Sequence, residues 1–321
     1  MKATNGRPTY LVTGATGAVG RYVIDELLEH TDANLLIIAR DPGRLPDGVR
    51  SHPRVLIRAG DLKSGAGLAA LTEDVDAAVL LAAAWGTESG AQEVNADGTI
   101  ALVQALRDRG VGRLVWFGTA SLLNEVGEPL AEAERFGSPY IVSKAICRRR
   151  LLELMPEGLT ILHPTVVVGG APDRPLTHAA RLTSEVDRRV WLAQWIAPEG
   201  RLHLVHAADL ARMVRDALSQ DARLTSREII AGAPPVTARE LLDVFLERSA
   251  LRRRAALKLS VRRVELLTRV LHIQLSPWDH YCLTRANFAY RDATLTLNPV
   301  TDGRYPTARA ILSTIPLQRS R

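Results

Sequence analysis

Tyr140 and Lys144, four positions apart in Tyr140-Ile141-Val142-Ser143-Lys144, have the makings of an acid–base pair. A helix would put the phenol and the ammonium on one face. A free phenol titrates at about 10, and an adjacent cation lowers that by roughly one to three, which would fit Tyr140 to trade a proton with an alkoxide near neutral pH. Upstream, the apolar run Leu114 to Phe117 ends in Gly118-Thr119-Ala120-Ser121. A hydroxyl there, Thr119 first and Ser121 as the alternative, can hold a carbonyl oxygen while negative charge gathers on it. Thr119, Tyr140 and Lys144 are therefore the expected catalytic residues, moving a hydride and a proton at a carbonyl or alcohol.

A hydride needs a donor, and the sequence offers a seat for one. Thr13-Gly14-Ala15-Thr16-Gly17-Ala18-Val19-Gly20 follows the first apolar run and passes directly into a helical pattern. Glycines permit the tight turn and the close approach of a pyrophosphate, while the helix start supplies N–H donors and positive dipole. The second apolar run ends in Ile37-Ile38-Ala39-Arg40-Asp41. Arg40 stands where a carboxylate would accept a ribose 2′-hydroxyl, and a guanidinium there suits a 2′-phosphate instead. NADP(H) is the expected cofactor, with Arg44 as a second contact. If Asp41 takes the ribose, the cofactor is NAD(H).

The elements that must position these groups alternate along the first two-thirds of the chain. Strands are expected over Tyr10 to Thr13, Leu35 to Ala39, Val55 to Ala59, Ala77 to Ala83, Leu114 to Phe117 and Thr160 to Leu162, with helices over Gly20 to Glu29, Ala91 to Arg109 and Tyr140 to Met155. That is the pattern of a parallel sheet covered on both faces, an α/β Rossmann-type doubly wound fold. Further on, Leu202 to Val205 reads as a strand returning to the sheet, His206 to Ser219 as a helix, and Thr237 with Glu240 as the capping box of another. The stretch from Ser276 onward reads as irregular. The expected division is a nucleotide-binding domain over 1–168 and 202–233, and a smaller, mainly helical substrate-binding region over 169–201 and 234–321.

Composition is that of an ordinary enzyme. Of 321 residues, 46% are hydrophobic and 24% charged, and no apolar run is long enough to span a membrane. The N-terminus lacks an export pattern, so a cytoplasmic location is expected. Cys147 and Cys282 have no metal-ligand spacing and are expected to be free thiols, with no metal bound. The net charge of +6 is concentrated between Leu251 and Leu271, where Arg252, Arg253, Arg254, Lys258, Arg262, Arg263 and Arg269 alternate with leucines. A solvated helix face is the plain explanation, and a docking surface for an acidic carrier protein or a CoA phosphate the sharper one. Interleaved aromatics are missing, which argues against nucleic acid.

Together these motifs resemble the extended short-chain dehydrogenase/reductase superfamily from about Tyr10 to about Phe245, although the spacing Gly-x-x-Gly-x-x-Gly departs by one residue from the widespread dinucleotide fingerprint. The resemblance implies that Asp61 and Leu62 contact adenine, that Ala82, Ala83 and Ala84 form a turn beside the cofactor braced by Asn95, and that Pro164, Thr165 and Val166 line the nicotinamide amide. His163 stands where the family often has arginine. It and His206 are read as structural. Trp85, Trp191, Trp195 and Trp278 are candidates to line an apolar substrate pocket. The scaffold also hosts sugar dehydratases and epimerases, but Thr119 is followed by Ala120, Ser121 and Leu122 and not by the acid pair that elimination needs. The expected activity is reduction of a small-molecule ketone, aldehyde or acyl thioester, CoA- or carrier-linked in the last case, or the reverse oxidation, by a homodimer. An NAD-dependent nucleotide-sugar epimerase and an NADP-binding redox sensor without turnover are the alternatives.

Overall fold

The computed structural model describes residues 6–63, 73–85, 88–221, 223–254, 257–259, 276–285, 287–297 and 302–316. Strands β1 (Thr9–Thr13), β2 (Asn34–Ala39), β3 (Val55–Ala59), β4 (Ala77–Leu80), β5 (Leu114–Phe117) and β6 (Leu159–Pro164) lie in one parallel sheet. Alternate residues of these strands face opposite sides, as the pleat requires. Tyr10, Val12, Leu35, Ile37 and Val79 pack under helices α1 (Ala18–His30) and, later in the chain, Ala207–Leu218. Leu11, Leu36, Ala78, Leu80, Leu114 and Trp116 pack under helices on the other face. Both faces are buried, so the strands read as continuous apolar runs.

Several elements differ from expectation. The helix expected over Ala91 to Arg109 consists of α2 (Glu88–Gln92), a π-helical turn at Glu93–Gly98 and α3 (Thr99–Asp108). The turn buries the Asn95 side chain, and π-turns of this kind recur where a helix serves a site. Next come α4 (Ala131–Phe136) and α5 (Pro139–Leu154), followed by β7 (Val166–Val168), α6 (His178–Ala193), β8 (Ile196–Pro198), β9 (Arg201–Leu202), β10 (Leu204–His206) and α7 (Ala207–Leu218). The segment expected to return to the central sheet does not do so: β9 and β10 join small separate sheets, β10 beside β7. The seventh central strand is β11, Arg227–Ala231, giving the order β11-β6-β5-β4-β1-β2-β3. Arg227 and Glu228 interrupt its apolar run, which hid it in the sequence.

The C-terminal third holds β12 (Val236–Thr237), α8 (Ala238–Arg248), β13 (Leu257–Leu259), α9 (Pro277–Arg285), β14 (Asn287–Phe288) and α10 (Ala308–Ser313). Thr237 and Glu240 form the capping box at the start of α8. The stretch after Ser276 is thus not irregular. Ser276 and Asp279 cap α9 reciprocally, each accepting from the other's backbone N–H, with Pro277 at the first helical position. Within the basic run, Leu257–Leu259 is a strand paired with β8 and not a helix face. Residues 260–271 of that run lie outside the described residues. Asp209, fully buried on α7, accepts from the backbone N–H groups of Arg304 and Tyr305 and holds the C-terminal segment to the sheet's helical layer. Among the described residues no helix is long and apolar enough to cross a membrane.

Candidate active site

The chain reverses its winding between β1 and β4, and a cleft of about 800 Å³ opens there at the carboxyl ends of the strands. Gly14 leaves β1 with φ of +73°, and a Cβ on it would sit 2.6 Å from the Ala82 backbone nitrogen. A Cβ on Gly20 would be 2.2 Å from the Gly14 carbonyl oxygen. Gly17 is the N-cap of α1 and offers that helix no side-chain acceptor, which leaves its first-turn N–H groups for a ligand. This cradle of bare backbone, with Ala15, Thr16, Ala18 and Val19 also facing the cleft, fits a dinucleotide pyrophosphate.

The remaining expected contacts border the same cleft: Arg40, Arg44, Asp61, Leu62, Ala82, Ala83, Ala84, Pro164, Thr165 and Val166, and with them Thr119, Ser121, Tyr140 and Lys144. Asn95 lies beneath it. Its amide oxygen accepts from Ala84 N at 2.7 Å, and its amide nitrogen donates to Ala84 O at 3.0 Å and to Ser143 Oγ at 3.1 Å. One buried amide thus ties the alanine turn to the helix that carries Tyr140.

The Tyr140–Lys144 pair is arranged differently from expectation. Ser138 and Pro139 start α5, on which Tyr140 borders the cleft and Lys144 points into the core. Lys144 is buried, donates from Nζ to Phe117 O at 2.7 Å, and lies 4.7 Å from the centre of the Trp116 ring. Its burial brings the ammonium down to about 8. Tyr140 stacks on Trp85, ring centres 4.0 Å apart, and burial pushes its phenol up to about 12. In this conformation the cation serves a carbonyl oxygen and an indole, and desolvation governs the phenol.

The NAD(P)H-binding family matches residues 14–182, more than half of the chain. The chain belongs to the NAD(P)H-binding family. Its seven-stranded parallel sheet is the Rossmann-type fold that such binding uses. It is similar to a 2-alkyl-3-oxoalkanoate reductase of Stenotrophomonas maltophilia, 31% identical over 98 residues that make up 27% of this chain and 30% of the relative. The chain spans no more than 30% of the length of either curated relative it matches. Two solved structures share the fold: gox2253, with a TM-score of 0.72, 20% identity and 96% and 97% of the two chains covered, and the dTDP-glucose 4,6-dehydratase of Bacillus anthracis in complex with NAD, with a TM-score of 0.68, 14% identity and 96% and 95% covered.

The NAD(P)H-binding cleft of this chain also has residues that the sequence left unnoticed: Ser138, Thr177, His178 and Asp279. Asp279 and Trp278 were legible through the Ser276-x-x-Asp279 cap; nothing marked Thr177 or His178. Trp85 and Trp278 border the cleft, whereas Trp191 and Trp195 are exposed elsewhere, at 57% and 45%. His206 lies outside it, capping α7 through Nδ1, which accepts from Ala208 N, and burial brings its imidazole down to about 4.

His163 is buried behind the carboxyl end of β5. Its Nδ1 is 3.2 Å from Thr119 O and its Nε2 2.8 Å from Glu228 Oε2, and Glu228 accepts twice from Arg148. Burial opposes ionisation of Glu228, but its bonds to His163 and Arg148 outweigh that and bring the carboxyl down to about 2. Because this lies below the ordinary 4.5, the stabilisation is complete above about pH 4.5 and is lost as pH falls towards 2. Glu228→Gln is expected to cost about 1–3 kcal/mol at pH 7. Denaturant titrations should show the gap from the native protein narrowing as pH falls from about 4.5 towards 2; a gap of constant size would mean that the carboxylate charge contributes nothing.

Proposed function

We propose that the protein is an NADP-dependent carbonyl reductase in which Thr119 and Tyr140 act on one substrate oxygen. One observation carries this reading: the cleft that holds Tyr140 and Thr119 on its β5 side presents Arg40 and Arg44 on its β2 side, while Asp41 is turned away. The Asp41 carboxylate accepts from Gly43 N at 3.0 Å, capping a short turn, and it does not border the cleft. Among the described residues neither arginine is in an ion pair, so both guanidiniums are free to take a 2′-phosphate.

When bound, the reduced cofactor supplies a hydride to the carbonyl carbon. Thr119 donates to the substrate oxygen, and Tyr140 passes its proton to that oxygen as the hydride arrives at carbon. The resulting phenolate regains a proton from solvent. A phenol at about 12 carries its proton at neutral pH, the state in which Tyr140 can act as an acid. Lys144 holds α5 to the end of β5 through the Phe117 carbonyl, and so keeps Tyr140 in line with Thr119.

The test is cofactor choice together with turnover. NADPH should bind at least about tenfold more tightly than NADH, since a paired 2′-phosphate is a charge-assisted contact. Arg40→Asp should reverse that order. NADPH should be oxidised with members of a ketone panel, including a 3-oxoalkanoate of the kind named for the Stenotrophomonas reductase. Equal affinities for the two cofactors would remove the NADP preference, and cofactor binding without oxidation by any ketone would remove the reductase.

A further inference from the structure

We propose that Trp85 is the substrate platform of this enzyme and selects a flat, uncharged aryl or conjugated ketone over phosphorylated substrates. This rests on the reductase reading above and names its substrate class.

Trp85 is 70% exposed, the largest apolar side chain so presented on the cleft. An indole exposed on a cleft offers an open ring face for stacking with a planar ligand. It is stacked nearly parallel to two neighbours: Tyr140, with ring centres 4.0 Å apart and 11° between planes, and His178, at 6.1 Å and 18°. Three near-parallel rings, one of them carrying the proton to be transferred, therefore border the place where the substrate carbonyl must sit. Trp278, buried and stacked on Tyr281, adds a fourth ring to the same cleft. A planar substrate with its carbonyl attached to the ring would gain stacking and reach the phenol together.

Charge points the same way. On this side of the cleft the described lining residues include one carboxylate, Asp279, and one cation, Lys144. Lys144 is buried and committed to Phe117 O. Arg40 and Arg44 stand at the end of β2, where the cofactor phosphate would occupy them. A sugar diphosphate would bring two negative charges to aromatic faces and a carboxylate, with no guanidinium among the described residues on this side to receive them.

The probes are 2-acetylnaphthalene, cyclohexyl methyl ketone as its saturated counterpart, and UDP-glucose. Calorimetry with the NADP+-loaded protein reads binding without turnover. 2-Acetylnaphthalene should bind more tightly than the other two, and Trp85→Ala should reduce its preference over the saturated ketone about five- to tenfold, with Trp85→Phe restoring most of it. NADP+ affinity checks that the variants are folded. Tighter binding of UDP-glucose, or equal losses for both ketones in Trp85→Ala, would overturn the platform. Binding of 2-acetylnaphthalene that depends on Trp85, with no NADPH oxidation by any ketone, would uphold the platform and overturn the reductase.

Discussion

Tyr140→Phe is expected to lower kcat by about a hundred- to ten-thousandfold, the usual worth of a positioned proton donor, and to leave NADPH affinity within about twofold. The variant removes one hydroxyl and keeps the ring, so the stack on Trp85 at 4.0 Å survives. The braces around it do not use the phenol: Ser143 Oγ donates to the backbone oxygen of Tyr140, and Lys144 holds Phe117 O. What disappears is the proton delivered as charge develops on the substrate oxygen. Losses should therefore appear equally in kcat and kcat/KM, the pattern of an interaction made only in the transition state. Single-turnover oxidation of NADPH would measure it. A variant within about threefold of the native rate would transfer the acid role to Thr119, Ser121 or ordered solvent.

Much of the nucleotide half was legible because local chemistry and tertiary need coincide there. Gly14 and Gly20 are demanded by backbone contacts that no other residue type permits, and with Gly17 between them they mark the turn. Strands buried on both faces announce themselves as apolar runs. β11 did not, because Arg227 and Glu228 open it, and Glu228 is there for His163 and Arg148, which lie far away in sequence. β9 and β10 misled for the opposite reason: Leu202 to Val205 has strand composition, but which sheet receives it depends on β7 and β12, which the pattern does not disclose. The pairing of Tyr140 with Lys144 was visible as spacing, whereas the direction of the ammonium was not. Spacing fixes where a side chain starts, and a carbonyl at the end of β5 decided where this one ends.

Gly14→Ala and Gly17→Ala, three residues apart in one turn, are expected to fail in different ways, and the contrast separates architecture from ligand binding. At Gly14 an added methyl meets three backbone atoms, Ala82 N at 2.6 Å, Leu81 C at 2.7 Å and Ala82 Cα at 2.9 Å, and φ is +73°. Backbone cannot yield as a flexible side chain does, and the shift would also part Thr13 Oγ1 from Ala82 N, 3.3 Å away. Left-handed strain and overpacking together should cost about 2–5 kcal/mol. They would push β1 away from the alanine turn, so stability and cofactor binding fall together. At Gly17 the methyl meets only Gly14 O, at 3.2 Å, with no positive φ to strain. Its fold should therefore survive with stability changed by less than about 1 kcal/mol. NADPH affinity should still fall, because the methyl stands beside the first-turn N–H groups of α1 that would receive the pyrophosphate. Thermal melts with and without NADPH distinguish the two. A Gly17→Ala protein that melts as early as Gly14→Ala would mean that the whole turn is architectural, and one stabilised by NADPH as strongly as the native chain would place the pyrophosphate elsewhere.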